Sequence, residues 1–338
     1  MILVTGATGL LGSYIARLLV SRGERVRALK RASSHLSLLG DAATQIEWVE
    51  GDITDILSLD DAMKGIDQVY HCAALISMQP SHLHQMLKVN TEGTANVIDA
   101  ALHAGIQKLL YVSSIAAFGR PQPTGALIDE HLDVKDTTDN FSYYRSKLYA
   151  EREVWRGIAE GLQAVIICPT TILGGGFWHV TPNNIFDQVY HGVPFYTTGT
   201  NAFVDLRDVG NIAIQLMESD IVAEKFIVSA ENCSFKELMC LTADALHRKR
   251  PTLSLNKWLA GLAWRYEMLQ SIITKSTPLL TSESAILAQS EFRYSNAKIC
   301  HTLSYQFRPL NQTINDVATL YLESLKTGQG YALMGIEE

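Results

Sequence analysis

The sequence has no surplus of positive charge: 28 Lys and Arg stand against 35 Asp and Glu, a net charge of −7. That argues against a nucleic-acid protein, whose affinity rests on a basic surface. No uncharged apolar run reaches transmembrane length, so no membrane partner is expected. Cysteine is scarce. Cys72, Cys168, Cys233, Cys240 and Cys300 form no CxxC pair and no metal-ligand spacing; reduced, buried thiols in a cytoplasmic protein, with no metal, are the reading. Repeats and low-complexity tracts are missing, and with an apolar strand expected from Met1 no signal peptide is expected. What the chain does have is bulk. Its 338 residues, 47% of them hydrophobic, can bury a sizeable core as one large domain or a large one plus a smaller lobe.

The most informative stretch is Met1 to Gly12. An apolar run (Ile2, Leu3, Val4) stops at Thr5, glycines follow at Gly6, Gly9 and Gly12, and a helical stripe begins with Leu11, Ile15, Leu18 and Leu19. Strand, glycine turn and helix in that order form the context of a dinucleotide-binding motif. The turn needs a residue free to take positive φ, and the pyrophosphate needs close approach to backbone with no Cβ in the way. Free N–H groups and the positive helix end then face the phosphates.

Beyond Gly23 short apolar runs alternate with helical stripes. Strands are expected at 26–29, 47–49, 69–71, 109–112 and 165–167, and helices at 57–64, 84–104 and 143–160, with Gly65, Gly105 and Gly161 placed as caps. Alternation of this kind implies βαβ units: an α/β fold with a doubly wound parallel sheet. Past residue 170 the rhythm breaks. Helices are expected at 207–218, 235–249 and 313–326, and short strands at 203–205 and 226–228. Trp258, Leu262, Tyr266, Leu269 and Ile273 mark an amphipathic helix, read as a core or lid face with membrane-surface attachment as its alternative. The expected division is a dinucleotide-binding Rossmann domain over 1–170, with 200–230 returning to it, and a C-terminal substrate lobe over most of 171–338.

Tyr143 and Lys147 lie four apart at a helix start and so share a face. Ser113 and Ser114 end the fifth strand, at the carboxyl edge where open parallel sheets bind ligands. A phenol titrates near 10, so acid–base work near pH 7 needs a shift of about 3 units, roughly 4 kcal/mol. An ammonium about 4 Å away supplies on the order of 4 kcal/mol at an effective dielectric of 20. Lys147 is therefore expected to lower the pKa of Tyr143, while a strand-end serine holds the substrate oxygen.

With these residues in this order the chain resembles the extended short-chain dehydrogenase/reductase superfamily, over roughly Met1 to Leu325. The Thr-Gly-x-x-Gly-x-x-Gly turn is Thr5 to Gly12, and Gly51-Asp52-Ile53 resembles the element that holds the adenine. His71-Cys72-Ala73-Ala74 resembles the loop along the cofactor, and Asn90 matches the helix asparagine. Val112-Ser113-Ser114 places the catalytic serine at Ser114. Tyr143-Tyr144-Arg145-Ser146-Lys147 picks Tyr143 over Tyr144, and Cys168 to Gly174 matches the strand-end proline stretch at the nicotinamide. The resemblance implies catalysis by Ser114, Tyr143 and Lys147 with support from Asn90. It implies cofactor contacts at Gly6, Thr8, Gly9, Leu10, Leu11, Gly12, Asp52, Ile53, Ala73, Ala74, Tyr143, Lys147, Pro169 and Ile172, and a helix-paired homodimer.

Within the superfamily the sequence is most similar to dihydroflavonol-4-reductase-like proteins, which implies reduction of a carbonyl on a small apolar substrate. Members acting on nucleotide sugars carry Arg-Pro where this chain has Cys168-Pro169, and an arginine before the segment that here begins at Phe203. Arg207 is the nearest cation, with a helix-start surface residue as the alternative reading. Lys30 and Arg31 follow the second strand, and the first acid after them is Asp41. Since an NAD site places a carboxylate there, NADP is expected and NAD is the alternative. Phe177, Trp178, Phe186, Tyr190, Phe195 and Tyr196 read either as an apolar substrate lining or as lobe core. The rival functions are a nucleotide-sugar epimerase or dehydratase and a non-catalytic dinucleotide-binding redox sensor.

Overall fold

The computed structural model of the chain describes residues 1–119, 125–132, 141–180, 182–255 and 282–337. The first half runs β1 (Ile2–Thr5), α1 (Leu10–Ser21), β2 (Val26–Lys30), β3 (Glu47–Glu50), α2 (Ile56–Met63), β4 (Gln68–His71), α3 (Leu83–Met86), α4 (Gly93–Ala104) and β5 (Lys108–Val112). It continues through β6 (Leu127–Ile128), α5 (Ser142–Ala159), β7 (Ala164–Pro169), β8 (Thr171–Leu173), α6 (Asn184–Tyr190) and β9 (Phe195–Tyr196). There follow β10 (Thr200–Asp205), α7 (Leu206–Glu218), β11 (Glu224–Val228), β12 (Glu231–Ser234), α8 (Phe235–Ala245) and a late helix at Leu310–Thr327.

Seven strands form one sheet in the order β11-β7-β5-β4-β1-β2-β3, every neighbouring pair parallel. Strand order reverses at β1, so the crevice beyond the carboxyl ends of β1 and β4 is the ligand position of a doubly wound sheet. The central strands carry apolar residues on both faces because both faces are covered. Ile2, Val4, Leu110, Val165 and Ile167 point into one core with α1 and α7. Leu3, Leu109, Tyr111, Ile166 and Cys168 point into the other, with α2, α4 and α5. This alternation is the period of two that a strand imposes.

The two segments expected to return to the first domain part company. β11 closes the edge of the main sheet beside β7. β10 instead pairs in parallel with β8 and antiparallel with β12 in a separate three-stranded sheet. Two helices differ from their sequence reading. The single helix expected over 84–104 contains a π-helical stretch, Leu87–Glu92, between α3 and α4. The helix expected over 235–249 stops at Ala245, because His247 turns to positive φ and the Arg248 N–H reaches back to Ala243 O at 2.7 Å. The Trp258–Ile273 stripe lies outside the described residues. Near the end of the chain Met334 is buried, Ala332 N–H donates to Gly176 O (3.1 Å) and Arg17 Nη1 donates to Met334 O (2.9 Å). Among the described residues no helix is long and apolar enough to cross a membrane.

Candidate active site

The glycine turn sits at the switch point. Gly6 has φ of 71°, and a Cβ there would lie 2.6 Å from Ala73 N; a Cβ at Gly12 would run into Gly6 O. Both positions are closed to side chains, one by conformation and contact, the other by contact alone. Gly9 is the extended N-cap of α1, and no side chain caps the helix. The first backbone N–H groups, from Leu10 to Gly12, therefore have no partner within the helix and point the positive helix end outwards. A cradle that a Cβ would fill, at an uncapped helix start, fits a dinucleotide pyrophosphate.

Two of the expected catalytic residues lie at the start of α5. Tyr143 and Lys147 are one turn apart and both buried. Ser114 neighbours the Tyr143 hydroxyl. Ser114 is held by its own turn, where its Oγ accepts the Ala116 N–H at 3.1 Å. Burial pushes the Tyr143 phenol up to about 12, with Ser114 pulling the other way. This is opposite in sign to the depression expected from Lys147. The reason is where the ammonium goes: Lys147 Nζ donates to Tyr111 Oη (3.0 Å) and Val112 O (2.9 Å). Its own pKa falls to about 8, chiefly through burial, while Cys168, Glu151 and Cys72 work to raise it. Met86, Ala116 and Phe141 pack with Tyr143 as an apolar wall, flanked by Leu75, Met78 and Leu287.

Asn90 sits in the π-helical stretch, a distortion common at functional sites. Its Oδ1 accepts Leu75 N–H (2.7 Å), and its Nδ2 donates to Leu75 O (2.9 Å) and Ser146 Oγ (3.0 Å). With both amide protons so engaged, Asn90 staples the loop after β4 to α5. Glu151, one turn beyond Lys147, was not singled out from the sequence. It is buried, accepts from Ser113 Oγ (2.7 Å) and Lys225 Nζ (2.9 Å), and stands 3.8 Å from Cys168 Sγ. Its place two turns after Tyr143 on one helix face was the available signal.

Residues 2–228 match the model of the NAD dependent epimerase/dehydratase family. The chain belongs to that family. It is 30% identical over 302 residues to sterol demethylase protein B of Methylococcus capsulatus, spanning 88% of this chain and 90% of the relative. It is 28% identical over 323 residues to a putative dihydroflavonol 4-reductase of Synechocystis, spanning 93% and 92%. Among solved structures it is similar to gox2253, with a TM-score of 0.82, 31% identity, and coverage of 96% and 98%.

The other positions implied by membership of the family distribute as follows. Asp52 Oδ1 accepts from Thr54 N–H (2.9 Å) and Thr54 Oγ1 (2.8 Å), so one carboxylate oxygen shapes its own turn. The Ile53 side chain is buried against Gly93. Ala73 closes over Gly6, Ala74 follows in the same loop, and Thr8 is half-buried in the turn. Pro169 ends β7 and Ile172 lies in β8. Lys30 ends β2 half-buried, with Arg31 exposed after it. Arg207 is no surface residue. It is 7% exposed and bonded to Asp205, Asp316 and Glu337 at 2.6–2.9 Å. Trp178 and Phe186 are buried in the core that α1 and α7 share, with Tyr190 packed against it: the Trp178 ring lies 5.1 Å from Tyr321 and 6.5 Å from Phe186, and Tyr190 lies 5.5 Å from Tyr321. Phe177 pairs with Tyr331, Phe195 is exposed and Tyr196 half-buried.

Proposed function

We propose that the protein is an NADP(H)-dependent oxidoreductase that reduces the carbonyl of a small apolar substrate. The observation that carries this reading is the buried Tyr143 phenol beside Ser114, keeping its proton to about pH 12 and backed by an apolar wall. A reduction needs an acid that stays protonated until the transition state, and a raised phenol meets that need. Ser114 holds the carbonyl oxygen, and Tyr143 gives that oxygen its proton. Lys147, one turn along α5, turns its ammonium to Tyr111 and Val112 rather than to the phenol, and would hold the dinucleotide when it is bound. When bound, the dinucleotide supplies the hydride to the carbonyl carbon. Lys30 and Arg31 at the end of β2, with no carboxylate before Asp41, favour a 2′-phosphate. The relatives named for a sterol and for a dihydroflavonol support a flat apolar substrate.

The epimerase reading is disfavoured because Arg207, the nearest cation for a sugar diphosphate, is consumed by three carboxylates. The test incubates purified protein with NADPH or NADH and a panel containing an aromatic aldehyde, a dihydroflavonol and a steroid ketone. NADPH should be oxidised one for one with product. Retained NAD⁺, with a UDP- or GDP-sugar interconverted at no net cofactor cost, would overturn the reading.

A further inference from the structure

Ser114 sits on a short piece of chain. It is the N-cap of a single 3₁₀ turn, Ile115–Phe118. Inside the turn Ala117 N–H donates to Ser114 O (2.9 Å) and Gly119 N–H to Ala116 O (3.1 Å). Hydrogen bonds of this kind have poor geometry, so the turn depends on its surroundings for its register. Ala116 faces the apolar wall around Tyr143, while Ile115 and Phe118 pack into the core that holds Ala150 and Val154 of α5.

Both ends of this turn rest on one ion pair. Where the chain enters, Ser113 Oγ donates to Glu151 Oε2 at 2.7 Å. Where it leaves, the Phe118 ring centre lies 4.3 Å from Lys225 Nζ. The two supports are joined, because Lys225 Nζ donates to Glu151 Oε1 at 2.9 Å. Trp155 Nε1 (3.4 Å) and Cys168 Sγ (3.8 Å) complete the surroundings of the carboxylate. Lys225 comes from the edge strand β11, where it stands opposite Ile166 of β7, and Glu130 Oε1 accepts the Ile227 N–H (2.7 Å) on the same strand. Hydrogen bonds to a charged group are about twice as strong as neutral ones, and a cation over a ring gains when water is excluded. Removing one member of a buried pair strands the other charge, so the pair acts as a unit.

We propose that Glu151 and Lys225 are positioning residues for Ser114, a buried ion pair that clamps the Ser113–Phe118 turn at both ends. Tyr143 and Glu151 lie two turns apart on α5. That helix therefore carries the phenol directly and the serine through Glu151, so both groups are referred to one rigid element rather than to a loop. The clamp stands on its own contacts. Its kinetic consequence rests on the function proposed above, in which Ser114 holds the carbonyl oxygen.

The first test needs no turnover. Amide hydrogen exchange is followed by mass spectrometry on the peptide spanning Ser113 to Gly119, in the wild type and in Ser113→Ala and Lys225→Met, which release one end of the turn each. The Ala117 and Gly119 amides should exchange about tenfold faster in both variants, the effect of one lost hydrogen bond, while peptides from α1 and α4 keep their wild-type rates. Lys225→Arg, which keeps the cation, should restore protection. An unchanged turn, or an equal increase along the whole chain, overturns the clamp. The second test measures kcat with NADPH and the aromatic aldehyde. Each variant should lose about 10–100-fold, with the NADPH dissociation constant unchanged. In a Ser114→Ala background neither substitution should lower kcat further, since both act through the same hydroxyl. Losses that multiply in that background overturn the positioning role. If Ser114→Ala by itself keeps the wild-type kcat, the proposed function loses its serine, while the exchange pattern still decides the clamp.

Discussion

Two buried cations in this protein are treated in opposite ways. Lys147 is met by neutral oxygens, Tyr111 Oη and Val112 O, and burial lowers its pKa to about 8. Arg207, at the first turn of α7, is met by Asp205, Asp316 and Glu337. Burial works against its charge too, but those carboxylates hold its pKa above the usual value. Asp205 also caps α7 through the Arg207 N–H (2.7 Å) and accepts from Thr313 Oγ1 (2.9 Å). Arg308 extends the network to Asp208 and again to Glu337. One cation is left able to lose its proton; the other is locked and ties α7 to the Leu310–Thr327 helix and the segment after it. A charge held for chemistry must remain cheap to remove, and a charge held for architecture must not.

Four substitutions break or sharpen that contrast. The largest effect is expected from Tyr143→Phe, which leaves the Lys147 surroundings intact and removes only the transferable proton. Its kcat should fall about 10²–10⁴-fold with NADPH affinity and melting temperature nearly unchanged; wild-type kcat would instead direct attention to Tyr144. Arg207→Met is the mirror image. Leaving Asp205 buried without its cation should cost about 3–5 kcal/mol in urea unfolding, with kcat per folded molecule preserved. A loss below about 1 kcal/mol would mean that the network is ornamental. Arg31, an exposed cation in neither cluster, gives the third. Arg31→Ala should weaken NADPH binding about tenfold, roughly 1.4 kcal/mol, and leave NADH alone; equal dissociation constants for the two cofactors in the wild type would remove the basis for NADP.

The smallest effect is on stability in Lys147→Met. Removing a buried charge is favourable, and stranding Tyr111 Oη and Val112 O is not, so the two offset to within about 1 kcal/mol. The wild type carries a pH signature that this variant should lack. The Lys147 pKa is lower in the folded state, about 8, than its ordinary 10.5. Between those values the unfolded chain binds the extra proton, so the Lys147 contribution makes stability climb with pH. Urea titrations at pH 7 and pH 10 on both proteins check it; an identical pH dependence would show that Lys147 does not titrate in that window.

Much of the fold was readable because it is local. The strand-turn-helix at Thr5 to Gly12 and the Tyr143–Lys147 spacing depend on residues a few positions apart, and both stand where they were expected. The end of α8 was not readable, since its left-handed residue is His247 rather than a glycine. Nor was the π-helical stretch that holds Asn90, for its apolar spacing passes for ordinary helix. The aromatic run from Phe177 to Tyr196 could be lining or core, and its rings Trp178, Phe186 and Tyr190 went to the core because Tyr321 offers them a partner from a distant helix.

By itself the sequence determined which groups could react and on which local element each would sit. Only the tertiary structure decided what those groups experience. Lys147 meets a tyrosine 36 positions earlier, and Arg207 meets carboxylates 109 and 130 positions later. The sign of the Tyr143 shift follows from its burial beside Ser114, rather than from the lysine four residues along the same helix. Desolvation and long-range pairing are properties of packed volume, and a pKa is set by the groups that end up within a few ångströms, whatever their distance along the chain.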